Sequence, residues 1–382
     1  MTQPPPPSLP SYAAVNGYVA ESAGELAEVF SRVIARSRGG AQCTLLVDGE
    51  EILNVSGGSV QADTPVQVFS VSKAIVASAA MHARQNGKLD LDQPLASYWP
   101  EMNKSSTRDI TARMVLDHSC GIPGVSRVLS TDELLAGELD RAIEQQEPFW
   151  EPGTEHGYGA FTFGALMNGV FTHALDVDVA TYVDQYFTTP TGHDFWFGAP
   201  DGVAQRLAAL SFDFPVLTAH HAEALATGRA LFDGSFVPIL SGAPFFFSDP
   251  RVVRANWPSL SGVSTATDLA HLLAAITGIS SGTGLLSSES VAELARERRS
   301  GMDRALCHVT RFGSGVELPH VYSPMLGGAS FGHQGAGGAI VVLDPARDVV
   351  FSFVSTHTQP TVGASDAALT LLAATNEWLA QR

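Results

Sequence analysis

Ser70-Val71-Ser72-Lys73 sets a hydroxyl three residues before an amine at the start of an apolar run, Ala74-Ile75-Val76-Ala77. On a helix, residues three apart share a face, so the amine can take the hydroxyl's proton and leave a nucleophile able to form an acyl-enzyme. Lysine occurs only at Lys73, Lys88 and Lys104, and such a pair still arises by accident in roughly one chain of this kind in four. The surroundings give it weight. Asp63-Thr64-Pro65 breaks the chain, Val66 to Phe69 is short and apolar, and the helical pattern continues into Met81. The serine then falls at a helix N-terminus, where backbone N–H groups and the dipole favour an oxyanion. A serine N-cap with a solvated lysine is the alternative reading of these four residues alone.

The elements that position this pair are legible at both ends. Glu21 to Arg38 carries Leu26, Val29, Phe30, Val33 and Ile34 at helical spacing and ends in Gly39-Gly40. Strand candidates Cys43 to Val47 and Ile52 to Val55 flank Asp48-Gly49, a hairpin signal. Near the other end, Ala339 to Leu343 and Val349 to Val354 flank residues 344–348, and Ala364 to Leu379 reads as a closing helix. From about residue 66 to about 255 the pattern is helix, loop and turn. The expectation is an α/β fold of the α+β type in which residues 1–65 and 256–382 form one sheet domain. Residues 66–255 then form a mainly helical domain inserted in it, with the active site at the seam.

Composition narrows the function. The 382 residues are 45% hydrophobic, enough for a large core, and carry a formal charge of −17. Phosphate backbones and anionic membrane surfaces need clustered Lys and Arg, so neither nucleic acid nor membrane is an expected partner. Cys43, Cys120 and Cys307 lack any C-x-x-C or Cys/His metal spacing and read as reduced thiols. The segment Met1 to Pro10 is a proline run without a basic or apolar leader, and no run of about 18 apolar residues follows. These features predict a cytoplasmic protein without metal or organic cofactor.

Further stretches complete a pattern: Gly87 to Pro100, Ile110 to Pro123, Trp150-Glu-Pro-Gly-Thr-Glu-His-Gly-Tyr158-Gly-Ala160, and Phe331-Gly-His333-Gln-Gly335-Ala-Gly-Gly338. With Ser70 and Lys73, and in this order, they resemble the serine β-lactamase and penicillin-binding-protein superfamily. The likeness is to its class C-like branch and the family VIII carboxylesterases, from about Gly17 to Asp348. It implies a β-lactamase-like fold, an antiparallel sheet flanked by helices. Ser70 is then the nucleophile, Lys73 its base and Tyr158 the tyrosine that works with that lysine. The backbone N–H groups of Ser70 and Ala336 are the implied oxyanion donors, the second on an edge strand beginning near Gly335. His333, Gln334 and Gly335 line the substrate, and Trp257 and Phe247, among the aromatics of 195–197 and 245–257, fall where its wall is expected.

Two departures bear on the substrate. His333-Gln334-Gly335 stands where β-lactamases commonly have Lys-Thr-Gly, and Tyr158-Gly159-Ala160 where they have Tyr-x-Asn. Both the ammonium for a β-lactam carboxylate and the amide for its side chain are missing, which is closer to the esterase branch. The expected reaction is hydrolysis of a small carboxylic ester through an acyl-enzyme on Ser70. Transfer to an amine or alcohol is the alternative, and a weak β-lactamase or idle β-lactam-binding module a further one. Gly278-Ile-Ser280-Ser-Gly282 fits a nucleophile elbow in text, yet the helix before it and the Ser/Gly loop after it do not suit one. His220-His221-Ala-Glu223 has no metal-binding spacing, and Asp117-His118-Ser119 cannot relay protons between adjacent side chains, so packing at the seam is expected of it.

Overall fold

The computed structural model describes residues 15–127, 129–212, 249–358 and 363–382. Phe247, His220, His221 and the proline run lie outside them. A six-stranded sheet runs in the order Val15–Val19, Glu50–Gly57, Ala41–Val47, Val349–Ser355, Ile340–Asp344, Phe331–Gln334, each neighbouring pair antiparallel. Asp48 and Gly49 both adopt positive φ, 53° and 82°, which is what the two-residue primed turn between Ala41–Val47 and Glu50–Gly57 requires. The central strands Ala41–Val47 and Val349–Ser355 are buried along their whole length because both sheet faces are covered.

Alternation sorts the side chains of those strands into two cores. Cys43, Leu45, Ile340, Val342, Phe351 and Phe353 face the terminal helices Gly24–Ile34 and Asp366–Leu379, which also touch each other. Leu46, Val341, Leu343, Val350 and Val354 face the other way, onto helix Ala266–Thr277 and the long helix Ser72–Gln85. That second core continues into helix Thr162–Leu175 and the shorter helices around it. Thr265 caps Ala266–Thr277 by accepting from the Asp268 N–H, and Ser365 caps the closing helix in the same way from Ala368.

Helix Ser72–Gln85 is buried at Ser72 through Met81 and at Ala83, so it is a core element rather than an amphipathic surface helix. Beside its start lies a second, small sheet in which Gly262–Ser264 pairs with Val66–Gln67 on one side and Trp196–Phe197 on the other. These two-residue strands are too short to leave a period in the sequence. No described helix is long and apolar enough to cross a membrane.

Candidate active site

Ser70 sits in a single 3-10 turn, Phe69–Val71, that feeds helix Ser72–Gln85. Phe69 is held at φ 50°, a left-handed conformation that a bulky L residue adopts only when its surroundings impose it. Those surroundings are visible: the Val68 N–H donates to the Gly262 carbonyl at 2.8 Å, and the Gly262 N–H donates to Ser72 Oγ at 3.0 Å. The turn is thus pinned to the small sheet on both sides of the nucleophile candidate.

Lys73 is fully buried, and its Nζ has three neighbours: Ser70 Oγ at 3.2 Å, the Ala160 carbonyl at 3.0 Å and the Ser259 carbonyl at 3.1 Å. Burial drives its pKa well below the ordinary lysine value, with the Glu317 carboxylate opposing the shift. A neutral amine has two protons and one lone pair. The two carbonyls can only accept, so they take the two protons and the lone pair is left for the Ser70 hydroxyl. Tyr158 completes the cluster. Its ring centroid lies 4.8 Å from Lys73 Nζ, and burial pushes its pKa up, with the Ser70 hydroxyl opposing the shift, so it is a neutral acid at rest.

Tyr158 is held by a residue that carries no motif. Both carboxylate oxygens of Asp303, which is completely buried, accept from the Tyr158 N–H at 3.1 Å, and the same carboxylate accepts from the N–H groups of Ala305 and Leu306 at 2.8 Å. Phe312 stacks on the Tyr158 ring at 6.1 Å, and His118 packs against it at 5.0 Å while accepting from the Gly159 N–H. Asp117 accepts from the Ser119 hydroxyl and from Arg299, so Asp117-His118-Ser119 packs this loop and forms no relay. Ser259, also absent from the sequence reading, ties the loops together: its carbonyl serves Lys73, and its hydroxyl donates to the Phe161 carbonyl and accepts from Gly164.

The Phe331–Gln334 edge strand lies against the nucleophile turn. It ends one residue before Gly335, so Ala336 belongs to a reverse turn and not to a strand: Gly338 N–H bonds back to the Gly335 carbonyl, and Gly335 N–H to Ala339. Glycine at 335 and 337 permits this contact, since a Cβ on Gly335 would fall 2.5 Å from the Val68 carbonyl oxygen and one on Gly337 would strike the Phe69 ring. Gln334 is corrected from a substrate-facing residue to a brace. Its Nε2 donates to Glu317 and to the Tyr322 carbonyl, and its Oε1 accepts from Ala364, which leaves its amide no free proton. Trp257 lies half-buried, edge-on to Phe161, in the loop that presents the Ser259 carbonyl.

His333 is buried in that strand with its ring centroid 6.1 Å from Tyr158. Glu317 stands beside it at 3.3 Å, an isolated charge in Gly315-Val316-Glu317-Leu318 whose only signal in the sequence is its apolar setting. The tempting Ser280 is elsewhere: its hydroxyl accepts from the Gly49 N–H, and its own N–H donates to Asp348. Among the described residues no group of three or more His, Cys, Asp or Glu is arranged to hold a metal.

Known proteins share this arrangement of the chain. Esterase/beta-lactamase LipL of Mycobacterium tuberculosis is 27% identical over 84% of this chain and 77% of its own length. The structure of EstA from Arthrobacter nitroguajacolicus Rue61a superposes with a TM-score of 0.81 at 26% identity, covering 97% of this chain and 99% of that one. A family VIII carboxylesterase has the same fold, with a TM-score of 0.82 at 21% identity over 95% and 99% of the two chains. The family model described as Beta-lactamase matches residues 25–375, and with that extent of agreement the chain belongs to the beta-lactamase family.

Proposed function

We propose that the chain is a serine esterase that cleaves a small, uncharged carboxylic ester through an acyl-enzyme on Ser70. The observation that carries this reading is the Lys73 amine, buried and wedged between two carbonyls so that its lone pair meets the Ser70 hydroxyl. As Ser70 Oγ attacks the ester carbonyl, Lys73 takes its proton, and the oxyanion is held by the backbone N–H groups of Ser70 and Ala336. Tyr158 gives its proton to the departing alcohol and recovers one from Lys73. Water then repeats the sequence on the acyl-enzyme to release the acid. An amine or alcohol in the water's place would make the same machinery a transacylase, because only the occupant of the near-attack position differs.

LipL is named both an esterase and a β-lactamase, which fits hydrolysis through an acyl-enzyme, and the absence of lysine at position 333 favours the ester over the β-lactam. Two buried cysteines and an exposed one, all unpaired, suit a cytoplasmic setting. Intact-mass measurement after brief exposure to a p-nitrophenyl ester or a fluorophosphonate tests the assignment. The adduct is expected on the parent chain and on Ser280→Ala, and is expected to vanish in Ser70→Ala. Label persisting in Ser70→Ala would refute it.

A further inference from the structure

His333 Nδ1 lies 2.7 Å from the Gln334 carbonyl, which can only accept, and 3.3 Å from Glu317 Oε1. Nδ1 therefore carries the proton, and Nε2 has a lone pair. Glu317 is itself held as an acceptor. Ser323 Oγ donates to Oε2 at 2.6 Å, Gln334 Nε2 donates to Oε2 at 3.0 Å, and the Gln334 N–H donates to Oε1 at 3.4 Å. A carboxylate fixed by these donors keeps the imidazole in one tautomer and one orientation. Burial keeps the ring neutral against the pull of Glu317.

Nε2 is buried, His333 being 1% exposed, and has no hydrogen-bond partner. Tyr158 does not satisfy it, since the two rings lie 6.1 Å apart with no hydrogen bond between them. A buried acceptor without a donor costs about as much as a lost hydrogen bond, and beside Tyr158 a donor on the substrate can repay it. We propose that His333 Nε2, locked by Glu317, is an accepting subsite that selects esters bearing a hydroxyl or amine near the scissile carbonyl and rejects those bearing a carboxylate. This rests on the acyl-enzyme reading above. A carboxylate placed against Nε2 meets a lone pair, and the Glu317 carboxylate on the other side of the imidazole, 3.3 Å from Nδ1, adds like-charge repulsion.

Three matched acyl donors test it: p-nitrophenyl butanoate, its 3-hydroxy analogue and mono-p-nitrophenyl glutarate. In the parent chain kcat/KM is expected to be highest for the hydroxy ester and at least tenfold lower for the glutarate than for the butanoate. In His333→Lys the glutarate-to-butanoate ratio should rise tenfold or more, and in Glu317→Gln it should rise severalfold while the advantage of the hydroxyl shrinks. Equal parent rates on all three esters, or ratios unmoved by both substitutions, overturn the subsite. Intact-mass analysis of the same reactions separates the two failures: a Ser70 adduct with flat ratios removes only the subsite, whereas no Ser70 adduct from any of the three removes the acyl-enzyme reading with it.

Discussion

Lys73→Met removes the amine and keeps a stem of similar length in a site with no exposure to spare. Loss of a positioned base costs about 10²–10⁴ in rate, which is about 2.7–5.5 kcal/mol of barrier. The carbonyls of Ala160 and Ser259 lose their donor at the same time, and each unpaired buried acceptor costs about 1–3 kcal/mol, offset in part because a desolvated amine is gone. The pH dependence isolates the amine itself. Its folded pKa lies below the ordinary 10.5, so between those two values the unfolded chain binds a proton that the folded chain does not. The penalty for that buried amine is full below its folded pKa and is relieved as pH rises toward 10.5, so this group makes the parent more stable with increasing pH across the window. The variant lacks that contribution. Stopped-flow acylation and urea unfolding, each run from pH 6 to 9.5, measure both effects. The parent's kcat/KM should fall toward low pH as Lys73 gains its proton, and the variant's residual rate should not show that limb. A variant within tenfold of the parent, or one that keeps the same acid limb and the same stability slope, refutes the neutral-base argument.

Asp303→Asn keeps the volume but replaces one acceptor by a donor under the Tyr158, Ala305 and Leu306 N–H groups; kcat should fall about 10–100-fold with KM within about threefold, a split that steady-state kinetics on one ester resolves. Gly335→Ala drives a Cβ to 2.5 Å from the Val68 carbonyl oxygen, so calorimetry should show a loss of about 1–3 kcal/mol and the acylation burst should slow. Ser280→Ala removes the acceptor of the Gly49 N–H and should cost about 1 kcal/mol in urea unfolding while the kcat/KM stays within about twofold of the parent.

What the sequence displayed was local. Asp48-Gly49 announces its own turn, Ser365 and Thr265 mark helix starts by their own side chains, and Ser70 and Lys73 meet because one helical turn joins them. Strand Val15–Val19 stayed hidden because its middle three residues are exposed on a sheet edge, and what it needs is Gly17 passing over the Asn54 carbonyl, a contact made 37 residues away. Ala336 was expected on a strand from the resemblance alone; Gly338 at φ 90° shows that the glycines around it reverse the chain. Glu317, Ser259 and Asp303 bear on the site through partners at least 16 residues distant, such as His333, and no spacing rule reaches that far. Gln334 misled for the converse reason, since its neighbours in sequence are site residues while its side-chain partners are Glu317, Tyr322 and Ala364.

The three oxygens around Lys73 serve both of its protonation states. As an amine it donates to Ala160 and Ser259 and accepts from Ser70; as an ammonium it would donate to all three, with the new alkoxide as the strongest acceptor. Moving the proton therefore breaks no hydrogen bond and requires no side chain to turn, so the transfer costs little reorganisation. What changes is charge alone. In the proposed reaction, burial opposes the ammonium before substrate binds, and Glu317 and the nascent oxyanion would favour it on attack by Ser70. A solvated lysine would hold its proton throughout and could not act as the base. Depth of burial, rather than the spacing of serine and lysine, is the feature that sets this pair apart, and it depends on helix Ser72–Gln85 being buried from Ser72 through Met81.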